Sequence, residues 1–190
     1  MRSGPEYDEV AKEIIQIYID YDIISFPLKL KKICIKLGVS LVPYSKYTDD
    51  EVDLLNKRSS KGFFVRGTCE REARIYYNDL GITKEEMRFT IAHELKHYVD
   101  NENEEDLDSD DLADYFARYF LCPVPYLIVK GIVEPNDIAI HCKVSPAAAS
   151  YASSNIKNRM KWYGSKLFDY ELPLIKLLAP EEYHVYQRAQ

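Results

Sequence analysis

The residue types best suited to chemistry stand together in one string, Ala92-His93-Glu94-Leu95-Lys96-His97. Two histidines four residues apart project from the same face of a helix, so both imidazoles can bind one metal ion at about 2.0–2.1 Å. Glu94 can take a proton from a water molecule on that ion and later deliver it to a leaving amine. Only four histidines occur among 190 residues, and this spacing arises by accident on the order of once in a hundred such chains. We therefore predict that His93 and His97 bind Zn²⁺ and that Glu94 is the catalytic general base.

A third protein ligand is expected downstream, because a catalytic zinc usually has three protein ligands and one position for water. Asp110 and Asp114 lie four residues apart on one face of a predicted helix. One can bind the metal while the other accepts a hydrogen bond from a ligand histidine. This spacing favours Asp110 as the ligand and Asp114 as its support, but it leaves the other acidic residues as candidates. Those are Glu102, Glu104, Glu105, Asp106, Asp108 and Asp111.

The elements that must position these residues are mostly helical. Apolar periodicity predicts helices over 6–21, 28–37, 84–99 and 109–121, and shorter helices over 126–131, 135–142 and 145–162. Thr83 is a suitable cap for the helix that carries the histidines. Strands are predicted at 39–43, 62–65 and 73–77. Residues 46–61 fit either a helix or a loop, and the tail beyond 163 contains no clear motif. The pattern indicates the α+β class.

Composition excludes several classes of protein. The net charge of −6 argues against a surface devoted to nucleic-acid binding. The four cysteines are scattered and form no CxxC pair, so neither a cysteine-rich zinc module nor a redox motif is indicated. No apolar run approaches the roughly 18 residues of a membrane span, and residues 1–8 lack a signal-peptide pattern. We expect a cytoplasmic protein with no membrane contact.

Residues 76–123 resemble the ImmA/IrrE family of metallopeptidases. The resemblance rests on Arg88-Phe89-Thr90-Ile91-Ala92-His93-Glu94-Leu95-Lys96-His97, on Asp110-Asp111-Leu112-Ala113-Asp114-Tyr115-Phe116-Ala117 and on Leu121-Cys122-Pro123. It implies His93 and His97 as ligands, Glu94 as base and a third ligand four residues before Asp114, which is Asp110. The family usually has glutamate there, and aspartate is one methylene shorter. Asp111 is therefore the second choice and Asp108 the third.

The resemblance also implies a fold and a domain division. The fold would be zincin-like, with a small antiparallel sheet packed on helices. Residues 1–123 would form the metallopeptidase core, and residues 124–190 a helical, helix-turn-helix-like extension packed on that core. Arg88, Tyr98 and Tyr77 are candidates for stabilising the oxyanion. The strand at 74–78 is expected either to pair with an extended peptide substrate or to be an ordinary interior strand.

The substrate implied by the resemblance is a helix-turn-helix transcriptional repressor. Its cleavage would make the protein an antirepressor of a prophage or mobile element, or one half of a toxin–antitoxin-like pair. The alternative is a zinc-containing regulatory module that holds DNA or a repressor without proteolysis. A zinc hydrolase acting on something other than protein is a third hypothesis, because the HExxH string alone does not specify a peptide substrate.

Residues 137–149 suggest part of a helix-turn-helix, with a small residue at Ala139 and a turn at Val144-Ser145. The region is locally basic, through Lys143, Lys157, Arg159 and Lys161. One interpretation of this charge is a surface that contacts phosphate. The other interpretation, which the sequence favours, is a helical packing module that supports the peptidase.

Overall fold

The computed structural model describes residues 4–100 and 110–188. The helices of this part of the chain are α1 (Pro5–Asp20), α2 (Leu30–Leu37), α3 (Asp49–Arg58), α4 (Lys84–Val99), α5 (Asp110–Leu121), α6 (Val124–Val129), α7 (Pro135–Cys142), α8 (Pro146–Tyr163), α9 (Leu172–Leu178) and α10 (Pro180–Arg188). The strands are β1 (Val39–Pro43), β2 (Gly62–Val65) and β3 (Ala73–Tyr77). The predicted α+β class is confirmed, and the three strands occur where they were predicted.

The sheet is mixed, with the strand order β1-β3-β2. β2 pairs antiparallel with β3, whereas β1 pairs parallel with it. The prediction of a purely antiparallel sheet was therefore wrong. The short turn between β2 and β3 can only reverse the chain, but β1 reaches β3 through a longer connection that contains α3, which permits a parallel neighbour. The alternation of apolar and polar residues indicates which face of a strand is covered. It carries no information on whether the strand runs parallel or antiparallel to its neighbour.

The sheet lies against α4, and Gly62 of β2 allows the close approach of the strand to the helix. A Cβ atom at Gly62 would lie 2.6 Å from the backbone oxygen of Tyr76 and 2.7 Å from Cγ2 of Thr90 on α4. Only glycine leaves room for this approach of β2 to the helix. Ile75 of β3 is fully buried, and Phe64 of β2 is its register partner on the same face. One face of the sheet thus packs against α4.

The boundaries of α4 follow from its first turn. The side chain of Thr83 accepts a hydrogen bond from the backbone N–H of Glu86 at 3.2 Å, and the Glu86 carboxylate accepts the backbone N–H of Thr83 at 2.9 Å. This capping box satisfies two donors that the helix itself leaves unpaired. Ile91, Ala92 and Leu95 bury the inner side of the helix. The predicted start after Thr83 and end at Val99 are confirmed.

The chain divides into two compact units. One is Lys29–Ala117, which contains the sheet and α4. The other combines Met1–Leu28 with Arg118–Gln190. The division predicted at residue 123 is a separate hypothesis, and it stays a prediction. Among the described residues, no helix combines the length and the apolar character that crossing a membrane requires.

The second unit is helical and contains a buried ion pair. Arg159 of α8 donates two hydrogen bonds of 2.6 Å to the Glu171 carboxylate, and Glu171 is 1% exposed. Two helices in the tail, α9 and α10, were not predicted individually, although residues 124–190 were expected to be helical. Pro173 and Pro180 both stand in the first turns of these helices, where proline is well tolerated.

Candidate metal centre

Two histidines of α4 lie beside the first residue of α5. The ring centroids of His93 and His97 are 5.2 Å apart, and both side chains are half-buried. One possible ligand atom from each of His93, His97 and Asp110 lies within 4.8 Å of the other two. The structure thus brings together the three residues that the sequence analysis assigned to the metal.

The geometry of this cluster fits a small divalent ion. Nε2 of His93 is 3.7 Å from Oδ1 of Asp110. Ligand atoms in a tetrahedral zinc site lie about 3.3–3.4 Å apart, given bonds of about 2.0–2.1 Å. A movement of a few tenths of an ångström by Asp110 would bring this pair of atoms to that separation. Its side chain is 78% exposed, so little packing opposes the movement. The short aspartate side chain therefore reaches the site.

Asp114 lies one turn beyond Asp110 and contacts the other nitrogen of the first histidine. Its Oδ1 is 3.1 Å from Nδ1 of His93. If Nδ1 carries the proton and donates it to this carboxylate, the lone pair of Nε2 is left on the side of Asp110. The contact also holds the imidazole in one orientation. Asp114 occupies the supporting position that the sequence analysis assigned to it.

Glu94 is buried next to the histidine pair, with 9% of its surface exposed. Burial raises the pKa of its carboxyl group, while His93, His97 and the backbone N–H of Phe64 act in the opposite direction. That N–H belongs to β2 and donates a hydrogen bond to the carboxylate. A raised pKa makes a carboxylate a stronger base. The sequence analysis did not anticipate the Phe64 contact, because a backbone donor is present at every non-proline residue and leaves no signature.

Of the remaining acidic candidates, Asp111 alone belongs to the described part of the chain. Asp111 is exposed and follows Asp110, but it is not among the three clustered residues. Asp108 and the glutamates and aspartate at 102–106 lie outside the described residues.

The residues proposed for the oxyanion belong to α4 and β3. The hydroxyl of Tyr98 donates a 2.5 Å hydrogen bond to the carbonyl oxygen of Leu37, and its ring packs edge-on against Phe64. This contact ties α4 to the end of α2. Arg88 is half-buried and lies about 140° around the helix axis from His93. Tyr77 belongs to the central strand, where burial raises the pKa of its hydroxyl. A role of these three residues at the oxyanion stays a prediction.

Substrate pairing at 74–78 was one of two expectations for that strand, and it was wrong. β3 has β1 on one side and β2 on the other, so its hydrogen-bonding edges are both occupied. It is the ordinary interior strand of the alternative expectation. The edges of this sheet belong to β1 and β2. At β2, the backbone N–H of Phe64 is already directed to Glu94.

A buried lysine inside the motif was also not foreseen. Lys96 is 4% exposed, its ammonium group lies 2.5 Å from Asp100, and it sits 6.0 Å from the ring centroid of Phe116. Sequence analysis gave this position no role, since lysine usually lies at the surface. The lysine links α4 to α5 on the side away from solvent.

No protein-family model matches the chain, and no curated protein matches it either. The function therefore has to be argued from the site itself and from the residues that carry the resemblance.

Proposed function

We propose that the protein is a zinc-dependent endopeptidase of the ImmA/IrrE family, with a zincin-like catalytic unit. The observation that carries this proposal is the cluster of His93, His97 and Asp110 beside a buried Glu94. Two imidazoles and one carboxylate on two helices form a donor set typical of a catalytic zinc centre with one open position. His93, His97 and Asp110 would hold the zinc ion, which would supply Lewis acidity toward a water molecule and the scissile carbonyl group.

The other steps belong to residues of the chain. Glu94 takes the proton of the attacking water and transfers it to the leaving amine nitrogen. Its burial supports this exchange, because burial raises the pKa of the Glu94 carboxyl group and so makes the carboxylate a stronger base toward the water molecule. The hydrogen bond from Phe64 holds the carboxylate in place as its charge changes. Asp114 holds the His93 ring and stabilises its donor nitrogen.

The proposed substrate is a helix-turn-helix transcriptional repressor, and the proposed role is that of an antirepressor or of one member of a toxin–antitoxin-like pair. Support for this substrate comes from the resemblance of residues 76–123 to the family. The alternative remains a zinc-containing module that holds a repressor or DNA without cutting it. The two functions differ in one measurable property, which is whether Glu94 is required.

The test is co-expression with the helix-turn-helix protein encoded beside this gene, followed by intact-mass analysis of that partner. We compare wild type with Glu94→Gln, and we use Glu85→Gln in the first turn of α4 as a matched control. A single cut that appears with wild type and Glu85→Gln, but not with Glu94→Gln, supports the peptidase. An intact partner with all three proteins overturns the proposed substrate. A stable complex in which it stays intact supports the binding module.

A further inference from the structure

Helices α6, α7 and α8 form a three-helix arrangement that contains a helix-turn-helix. α7 and α8 are joined by the three residues 143–145. Lys143 adopts the left-handed conformation, with φ 52° and ψ 60°, and the backbone N–H of Val144 bonds to the carbonyl of Ala139 at 3.3 Å. Ser145 then caps α8 by accepting the backbone N–H of Ala148 at 3.2 Å. A turn of three or four residues between two crossing helices is the geometry of helix-turn-helix motifs.

The inner side of this motif is packed with small and apolar residues. Ile138 and Cys142 of α7, Val144 of the turn and Ala149 and Ala152 of α8 are all at most 5% exposed. The two alanines have little side-chain volume, so they let the backbones of α7 and α8 approach closely. The residues on the opposite side of α8 are exposed.

The outer side of α8 presents short polar groups along its first half. Ala147, Ser150, Tyr151 and Ser154 are exposed and repeat at helical spacing, so they share one face. α8 contains neither aspartate nor glutamate over its 18 residues. A surface of small hydroxyl-bearing side chains fits against base edges, which present donors and acceptors in the major groove of DNA.

Two exposed lysines continue this face toward the end of the helix. Lys157 and Lys161 lie about 10 and 16 Å along the axis from Ser150, at 1.5 Å per residue. The major groove is about 12 Å wide, so side chains at these distances can reach the sugar–phosphate backbone at its edge. Lys157 pairs with Glu134 at 3.2 Å, and both side chains are more than half exposed. Such a surface pair contributes little energy and can be exchanged for a phosphate.

One residue of the basic region plays no part in the surface charge. Arg159 is 6% exposed, and its guanidinium is neutralised by Glu171. The sequence analysis had counted it among the phosphate-contacting candidates, and the structure removes it. The exposed charge of the face is then carried by Lys157 and Lys161, which lie on the same side as the serines.

We propose that this motif binds double-stranded DNA, with the first half of α8 in the major groove and with Lys157 and Lys161 on the phosphate backbone. The inference goes beyond peptidase activity and does not depend on a metal. Because the whole chain carries a net charge of −6, its attraction to DNA is local and strongly screened by salt.

The experiment is fluorescence anisotropy with a labelled 30-base-pair duplex pool of random sequence, titrated with the full chain between 50 and 200 mM salt. The charge-reversed variant is Lys157→Glu/Lys161→Glu. Its matched control is Lys12→Glu/Lys32→Glu, which makes the same charge change at exposed helical lysines. Lys12 also belongs to a surface ion pair, with Glu9. A second variant, Ser150→Asp, places a carboxylate at the centre of the face without touching either lysine.

We expect wild type and the control to bind the duplex with a negative slope of log affinity against log salt. Losing two phosphate contacts should reduce that slope by about 2 and weaken binding about tenfold or more at low salt. Ser150→Asp should weaken binding by a similar factor. Failure of wild type to bind the duplex, equal loss in the lysine control, or tighter binding of the corresponding single strand would each overturn the proposal. If the duplex binds as expected, selection from the pool identifies any preferred sequence.

Discussion

The contact between Asp114 and His93 provides the sharpest test of the metal centre. Its atoms, Oδ1 and Nδ1, are 3.1 Å apart, and Asp114 has 35% of its side chain exposed. Replacing Asp114 by alanine removes the contact at Nδ1 that orients the His93 ring. It leaves His93, His97 and Asp110 in place. Loss of such a supporting carboxylate typically weakens a metal site by 10- to 100-fold, which corresponds to about 1.4–2.7 kcal/mol of binding free energy.

The affinity is measured by competition with a chromophoric zinc chelator at fixed pH. Asp111→Ala is the matched control, because it removes the same charge from the same turn of α5 at an exposed position outside the cluster. Asp110→Ala sets the scale for loss of a direct ligand. We expect Asp111→Ala to remain within about twofold of wild type and Asp114→Ala to fall between it and Asp110→Ala.

Two outcomes would refute this reasoning. Equal affinities for Asp114→Ala and Asp111→Ala would mean that the carboxylate acts only through its charge. A larger loss in Asp111→Ala than in Asp110→Ala would move the third ligand by one residue. Circular dichroism of each apoprotein verifies that α5 is still helical, so that a folding defect is not taken for a loss of ligation.

Three further substitutions test the packing, each by urea unfolding. Gly62→Ala should lower the free energy of unfolding by about 1–3 kcal/mol, since the new Cβ meets the backbone oxygen of Tyr76 at 2.6 Å; a loss below 0.5 kcal/mol would contradict this. Arg159→Met should cost about 3–5 kcal/mol because it leaves Glu171 charged and buried. The double variant Arg159→Met/Glu171→Met should recover most of it, and no recovery would mean that packing dominates. Burial lowers the pKa of His141 below its ordinary 6.5, so the unfolded chain takes up the proton first and stability should fall as pH drops below about 6.5. His141→Gln should flatten that fall, and an unchanged profile would exclude His141 as its source.

Sequence patterns located the clustered histidines and Glu94 because these residues are related by local spacing along the chain. His93, Glu94 and His97 belong to one helix, whose period places the two ligands on one face. The approach of Asp110 was harder to predict, since it depends on how α5 packs against α4. Local spacing could reveal only that Asp110 and Asp114 share a face, and the structure directs that face to His93.

Other features depend on contacts that a linear pattern does not contain. The alternation in β1 indicates a strand, but its parallel pairing with β3 follows from the path of the chain through α3. Arginine usually lies at the surface, and the ion pair with Glu171 is what allows Arg159 to be buried. In both cases the residue type was compatible with two environments. The three-dimensional partner decided between them.

The three proposed ligands differ in how well the protein holds them before a metal arrives. His93 is fixed at Nδ1 by Asp114 and has 18% of its side chain exposed, whereas 78% of the Asp110 side chain is exposed. A solvated carboxylate must give up water and side-chain freedom when it binds, and both losses reduce its net contribution. The short aspartate limits the second loss, because it has fewer torsions to fix than glutamate. Affinity should therefore depend more on the preorganised histidines than on Asp110, while Asp110 completes the coordination that leaves one position open for water.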